Sequence, residues 1–486
     1  MAVILAVDQS TSGTKAVVFD RAGQVRGRAD LPHRQIHPRL GFVEHDPEEI
    51  WRNVCALLPQ ALETAGVTWA DVEAIALTNQ RETVACWDAE TGKVPCNAVV
   101  WQDGRAEEIC RSLSDQEARI SELTGLRLSP FFSAPKLRWL LEHDPETASL
   151  AGTGRLRFGT MESFLLSRLA GVHRTDLTNA SRTMLMDLGS GSWSEELFRL
   201  FGIPMEAAPE IVPSDGADAV TLGSDGIPAG IPVVSLIGDS HGALFGNLCV
   251  TSGQSKVTYG TGSSIMMNAG PKPPAHNNAV AWSVAYAVSG EGTTYCMEGN
   301  LNTTGASIRW LRNLGLIQSD KDAGPLSRKS RANSPVYFLP ALEGLAAPHW
   351  RSDVRASFVG MDSAATRADL CRAVEEAIAF SIADVVFAMT DMPAGICADG
   401  GAVRDSYLMQ LQADVLGTQV RTSAVEEVSA RGAAFLAGLK TGFYPSRDFL
   451  AGRLETGTVY APRAGRKEAL ARYETWKGHL AALLSR

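Results

Sequence analysis

No stretch of the 486 residues approaches the roughly 18–20 uninterrupted apolar positions that a membrane helix needs, so a helical membrane protein is excluded. Paired cysteines are missing as well. The eight cysteines (Cys55, Cys86, Cys96, Cys110, Cys249, Cys296, Cys371 and Cys397) are scattered with no C-x-x-C spacing. That argues against a zinc knuckle and a disulfide scaffold, and for buried thiols in a reducing cytoplasm. Positive charge is in deficit: Lys+Arg 45 against Asp+Glu 54 gives a formal net charge of −9. Neither nucleic acid nor an anionic membrane is therefore expected as a partner. The Walker A pattern G-x-x-x-x-G-K-[ST] does not occur, which removes the P-loop NTPases, and no H-E-x-x-H metalloprotease signature occurs. The opening run to Val7 has no basic residues ahead of it and ends at Asp8, so it reads as a strand, not a signal peptide. Glycine and proline use is ordinary and 45% of residues are apolar, which excludes a collagenous or disordered chain. At roughly 100–200 residues per domain, the length predicts two to three domains.

What is present begins with a hairpin. Val3–Val7 and Lys15–Asp20 are apolar runs separated by Asp8-Gln9-Ser10-Thr11-Ser12-Gly13-Thr14, nearly all turn-forming residues. Strand, polar loop, strand is not the strand-to-helix opening of a Rossmann unit. Asp46-Pro47-Glu48-Glu49 carries an N-cap, a proline at the first helical position and an acid three residues after the cap. Trp51, Val54, Leu58 and Leu62 then recur at helical spacing. Val72–Thr78 reads as a central strand delivering Asn79-Gln80-Arg81-Glu82-Thr83 at its carboxyl end. About half a chain later the opening plan returns: Gln254–Tyr259, then Gly260-Thr261-Gly262-Ser263-Ser264, then Ile265–Asn268. The echo predicts two similarly built α/β lobes, residues 1–245 and 246–486. Leu470, Tyr473, Trp476 and Leu480 predict a closing amphipathic helix over Arg463–Arg486.

Each Gly/Thr/Ser hairpin suits phosphate binding. Backbone N–H groups of a tight turn converge on an anion, and hydroxyls add donors. Asp8, ending the first strand beside such a loop, is placed to hold Mg²⁺. Either loop alone is equally an ordinary turn. Asp399-Gly400-Gly401-Ala402-Val403-Arg404 reads as a seat for a nucleotide or as a tightly packed helix cap. Gly238-Asp239-Ser240-His241-Gly242 also reads two ways. As G-x-S-x-G it is a nucleophile elbow with Ser240 as the nucleophile of a serine hydrolase. Through Asp239 it is a carboxylate at a strand end, positioned to accept a proton from a substrate hydroxyl. The hydrolase reading is the remote one, because it needs a downstream histidine (His276, His349 or His479) and leaves both hairpins unexplained. Arg81-Glu82 is either a structural ion pair or a grip on a polyol's hydroxyls. Trp101 is expected half-buried, against the core or against a ligand's carbon chain.

Together these residues resemble the FGGY family of carbohydrate kinases, closest to its glycerol kinase branch. The resemblance runs from Leu5-Ala6-Val7-Asp8-Gln9 to Gly432-Ala433-Ala434-Phe435-Leu436-Ala437-Gly438. Its most specific stretches are Thr78–Thr83, Phe158-Gly159-Thr160, Thr178–Leu185, Tyr259-Gly260-Thr261-Gly262 and Asp399-Gly400-Gly401-Ala402. Phe131–Trp139 is similar to the family's lysine–tryptophan signature. The resemblance implies two actin-like, ribonuclease-H-like ATPase lobes around a central cleft, ATP and Mg²⁺ as cofactors, and phosphorylation of a small polyol or sugar. A homo-oligomer, a dimer, is the assembly expected with it. By the same resemblance Asp8 and Asp239 lie near the metal, and Thr11, Ser12 and Lys15 near the transferred phosphate. Thr261, Gly262, Gly305, Arg309, Gly401, Ala402 and Asp405 line the nucleotide. Arg81, Glu82, Trp101, Phe131, Asp239 and Ser240 form the acceptor pocket, with Asp239 as general base.

Four positions depart from the glycerol kinase pattern. Arg309 and Asp405 stand where the branch has Gln and Asn. Phe131 replaces a pocket tyrosine and Ser240 a glutamine. The last two changes lie where glycerol's hydroxyls would be held, so a longer polyol or ketose (erythritol, threitol, xylulose or ribulose) is the second substrate reading. A non-catalytic nucleotide-binding module would show slow ATPase activity that no polyol stimulates, and such a module has no use for an acceptor pocket.

Overall fold

The first apolar run, Val3–Gln9 (β1), is buried along its whole length, as a strand with neighbours on both edges and cover on both faces must be. In the computed structural model, which describes residues 1–273, 279–390, 393–464 and 466–485, only Ser10-Thr11-Ser12 separate β1 from Gly13–Phe19 (β2). The hairpin is thus tighter than the sequence suggests, with Asp8 paired to Lys15 and Gln9 to Thr14. Val25–Pro32 (β3) continues the antiparallel ladder. The helix Pro47–Ala65 (α1) starts at Asp46, whose side chain accepts from the Glu48 N–H, and it buries Trp51, Val54, Leu58 and Leu62. Glu49 does not close a capping box. It pairs instead with Arg34 at 2.8 Å. Val72–Asn79 (β4) lies parallel to β1, Ala219–Ser224 (β5) forms the far edge, and Ile227–Gly238 (β6) joins β4 in parallel. The resulting six-stranded sheet has the order β5-β6-β4-β1-β2-β3.

After the helix Asp239–Gly246 (α2), a second sheet is built from Gln254–Tyr259 (β7), Ser263–Gly270 (β8), Ala281–Val288 (β9) and Gly292–Leu301 (β10). The helices Gly305–Asn313 (α3) and Arg367–Met389 (α4) follow, then Gly395–Gly400 (β11). The helix Ser406–Leu416 (α5), Val420–Ser423 (β12), the helix Val428–Lys440 (α6) and Thr456–Tyr460 (β13) complete it. The order is β9-β10-β8-β7-β11-β12-β13. The core of each sheet follows one plan. Three antiparallel strands (β3-β2-β1, and β10-β8-β7) are extended by two strands parallel to the last of them (β4-β6, and β11-β12). The hairpin echo is therefore an echo of whole sheets, and it places both hairpin loops at corresponding ends of the two lobes.

The lobes meet where α2 crosses α6, and glycine sets the approach. A Cβ on Gly432 would lie 1.9 Å from the Gly242 carbonyl oxygen, and one on Gly246 would lie 2.3 Å from that of Val428. The two backbones touch, which no larger residue permits. The closing helix (α7) runs Arg466–Leu484 and buries Tyr473, Trp476 and Leu480. It starts later than the spacing predicts, Arg463 pairs with the Asp414 carboxylate at 2.6 Å, and Arg486 lies outside the described residues. No described helix is long and apolar enough to cross a membrane.

Candidate active site between the lobes

The end of β4 delivers Arg81 and Glu82 into a buried charge network. Glu82 adopts a φ of +61°, a left-handed turn that reverses the chain at once, and its backbone oxygen accepts from the Ser133 hydroxyl at 3.0 Å. The adjacent Arg81 and Glu82 do not pair with one another as the sequence reading allowed. Each finds a partner far along the chain. Arg81 forms a two-pronged ion pair with Glu298 of β10, at 2.8 and 2.7 Å. Glu82 accepts from Arg182 at 2.6 Å, and Arg182 also reaches Glu298 at 3.0 Å. Burial alone would raise the Glu298 carboxyl, but the Arg182 and Arg81 guanidiniums hold it far below the ordinary carboxylate range. Glu298 and Arg182 are members of this site that the residue-by-residue reading did not single out as such.

Asp239 opens α2, and its Oδ1 accepts from the Ser240 N–H at 2.6 Å and lies 3.4 Å from Arg81 Nε. Its side chain is 32% exposed, so a ligand in the cleft can reach it, whereas Glu298 at 1% is sealed in. A Cβ on Gly238 would lie 2.7 Å from Arg81 Cγ, so a larger residue there would push the Arg81 side chain out of place. Trp101 is half-buried as expected. Its indole N–H donates to the Thr11 hydroxyl at 2.9 Å, and its ring packs against Phe131 at 5.4 Å between centroids. Trp101 thereby joins Phe131 to the first hairpin loop. Lys136 of the lysine–tryptophan signature is fully buried and donates to the backbone oxygens of Phe131 and Phe132, pinning that wall.

Asp8 is buried at the base of the first hairpin. Desolvation pushes its carboxyl up to about 7, Lys15 works against that shift, and the nearby Asp239 charge adds to it. Its Oδ1 has no hydrogen-bond partner among the described atoms. Lys15, read as facing a phosphate, pairs with Glu427 at 3.0 Å, and Arg28 joins the same carboxylate at 2.7 Å. Glu427 directly precedes α6, so this contact also ties the two lobes. Thr11 is half-buried and Ser12 exposed at the loop tip.

On the other lobe the second hairpin loop packs backbone to backbone. The Gly305 N–H donates to Gly260 O at 3.0 Å and the Ala306 N–H to Thr261 O at 2.9 Å. A Cβ on Gly262 would lie 2.1 Å from Leu301 O, one on Gly305 would lie 2.6 Å from Gly260 O, and one on Gly400 would lie 2.4 Å from Tyr259 O. Gly400 also needs its φ of +92°. Gly401, with Ala402 beside it, faces open space. Arg309 of α3 donates to Thr261 Oγ1 at 3.4 Å. Asp405 caps α5, its Oδ1 accepting from the Tyr407 and Leu408 N–H groups, and its own N–H donates to Ala402 O at 3.0 Å.

The elbow reading fails on geometry. Ser240 lies in the first turn of α2, while the neighbouring His241 is buried and its Nε2 faces Ser283 Oγ at 3.2 Å. His349 pairs with Asp384 at 2.8 Å and His479 packs on the Tyr337 ring, while His276 lies outside the described residues. No described histidine is hydrogen-bonded to Ser240.

Comparison with known proteins bears on the same arrangement. Residues 3–246 match the N-terminal domain, and residues 255–441 the C-terminal domain, of the FGGY family of carbohydrate kinases. Glycerol kinase 1 of Thermotoga maritima is 40% identical over 99% of both chains. The crystal structure of Plasmodium falciparum glycerol kinase with ADP superposes with a TM-score of 0.95 at 32% identity, covering 100% of this chain and 98% of that one. The xylulose kinase of Lactobacillus acidophilus shares the fold, with a TM-score of 0.88 at 22% identity over 99% of this chain and 98% of that one. With both halves matched in order and the architecture shared end to end, the chain belongs to the FGGY family of carbohydrate kinases.

Proposed function

We propose that this kinase transfers the γ-phosphoryl group of MgATP to a hydroxyl of glycerol, giving glycerol 3-phosphate. The observation that carries the reading is Asp239. It is a reachable carboxylate at the start of α2, beside Arg81 on the acceptor side and within the field of Asp8 at the base of the phosphate-type hairpin. Relatives of similar length that bear the name glycerol kinase support the choice of acceptor. The lobes divide at residues 1–245 and 246–486, the first gripping acceptor and phosphate, the second the nucleotide. A cytoplasmic homodimer belongs to the same proposal, and eight free thiols support the reducing compartment.

In this reading Asp239 takes the proton from the attacking hydroxyl, and Arg81, Glu82 and the Trp101–Phe131 wall orient the carbon chain. N–H groups of the loops at Thr11–Ser12 and Thr261–Gly262 meet the phosphates. Gly305, Arg309, Gly401, Ala402 and Asp405 border the base and ribose. Phosphoryl transfer asks a protein mainly for alignment and charge neutralisation. Closure of the lobes excludes water, which would otherwise compete as acceptor. Asp8 fits a hard divalent cation: it is a buried, oxygen-only donor with an orphaned Oδ1, and Asp239 is close enough to share the field. Bound Mg²⁺ would supply neutralisation of phosphate charge there.

A longer polyol or ketose remains the second reading because Phe131 offers no hydroxyl and Ser240 is short. ADP release measured across glycerol, erythritol, threitol, xylulose, ribulose and gluconate separates the two. Glycerol is expected to give the highest kcat/KM, and a tenfold or greater preference for any other acceptor overturns the assignment. Phe131→Tyr restores a donor to the pocket wall. It is expected to lower the glycerol KM by up to about tenfold, the worth of one net hydrogen bond. An unchanged KM in that variant would show that the wall does not meet the glycerol hydroxyls.

A further inference from the structure

Lys256 is a buried cation that the mechanism above does not use. It lies in β7 and is 1% exposed. Val257 and Tyr259 point into the apolar core of the second lobe, so by alternation Lys256 and Thr258 share the opposite face, toward the lobe junction. Its ammonium donates to Thr258 Oγ1 at 3.0 Å and to Ser264 Oγ of β8 at 3.1 Å, and it forms no salt bridge among the described residues. Thr258 lies directly across from Asp399 in the parallel β7–β11 ladder, and the Asp399 carboxylate accepts from Asn247 Nδ2 at 3.3 Å. Asn247 is the C-cap of α2, the helix that begins with Asp239. Asp399 directly precedes Gly400, whose backbone is pressed against Tyr259. The charges that face the ammonium are Asp399 in β11, Glu298 in β10 and Asp239 in α2, opposed by Arg81.

A buried ammonium whose direct hydrogen bonds go only to two neutral hydroxyls, with its carboxylates out of ion-pair reach, is incompletely compensated for its desolvation and is expected to cost folding stability. A hydrocarbon side chain of similar length would suit the fold better. The bonds it makes lead to the two loops of the nucleotide side. We propose that Lys256 is a positioning residue for the nucleotide. Through Thr258 and Asp399 it sets the Gly400–Gly401 loop, and through Ser264 it holds the second strand of the Thr261 hairpin in register.

The inference rests on the kinase reading, and its test keeps the two apart. ADP binding to the full chain is measured by titration calorimetry, together with thermal unfolding and the acceptor KM. Failure of the wild-type chain to bind ADP would overturn the kinase reading itself. Given wild-type binding, Lys256→Met is expected to weaken ADP at least tenfold while Tm stays equal or rises and the acceptor KM stays within twofold. Thr258→Val, which keeps the lysine and removes the hydroxyl that it holds beside Asp399, is expected to weaken ADP severalfold. A Lys256→Met variant with ADP affinity within twofold of wild type, or one whose loss of binding tracks a fall in Tm, overturns the proposal. Should that variant fail to fold, wild-type ADP affinity in both Thr258→Val and Ser264→Ala overturns it.

Discussion

Asp239→Asn is expected to lower kcat by roughly 10²–10⁴, with only a modest change in acceptor KM, as for loss of a general base. The substitution preserves shape: an amide oxygen still accepts from the Ser240 N–H, so the start of α2 is kept. What is lost is a group that can receive the hydroxyl proton, and with it the negative charge 3.4 Å from Arg81 Nε. Because Arg81 is already gripped by Glu298 through both terminal nitrogens, it has little freedom to turn toward the gap. The defect should therefore appear in turnover, not in binding. Steady-state ADP release at saturating acceptor reads it directly, and near-normal turnover in the variant would rule Asp239 out as the base.

Glu298→Ala carries the largest expected effect on stability. Glu298 is the shared counter-charge of Arg81 and Arg182, and all three side chains are essentially sealed from solvent. Removing it leaves two guanidiniums buried close together with only Glu82 and the more distant Asp239 to answer them. Breaking a buried pair in this way costs about 3–5 kcal/mol, because the orphaned charge keeps its desolvation penalty. Equilibrium unfolding in urea measures it. A loss under about 1 kcal/mol would place the variant among ordinary surface substitutions and contradict the network. Activity should fall as well, since Glu298 of the second lobe orients Arg81 of the first. Glu298→Gln, which keeps the shape, should recover part of the stability and less of the activity.

The parts of this site legible in the sequence were those written in consecutive residues. The Asp8–Thr14 hairpin, the strand that presents Arg81 and Glu82, the Asp239 turn and the Gly400-Gly401 loop each announce themselves through local turn chemistry and strand pattern. The pairings were not legible, because they join residues far apart in the chain. Arg81 and Glu298 are separated by 217 positions, and Lys15 and Glu427 by 412. Adjacent opposite charges, Arg81 and Glu82, suggested a pair that the left-handed turn at Glu82 pulls apart. A usable signal was nonetheless present at Tyr295-Cys296-Met297-Glu298, where a carboxylate interrupts an apolar strand interior. A charge at such a place requires a buried partner, and Lys256 inside Gln254–Tyr259 is a second case of the same kind. At the start of α7 and at Glu49, the polar side chain that the local pattern assigned to the helix is found in an ion pair with a residue elsewhere in the chain.

One cleft is expected to pass the γ-phosphoryl group from nucleotide to a polyol hydroxyl. Phosphorus NMR of the wild-type chain with MgATP and glycerol tests it in a single experiment. The γ-phosphorus signal is expected to be replaced, one for one, by that of a phosphate monoester on a primary carbon. Conversion of the γ-phosphoryl group to inorganic phosphate alone, at a rate indifferent to glycerol and to the other polyols and ketoses, would contradict it.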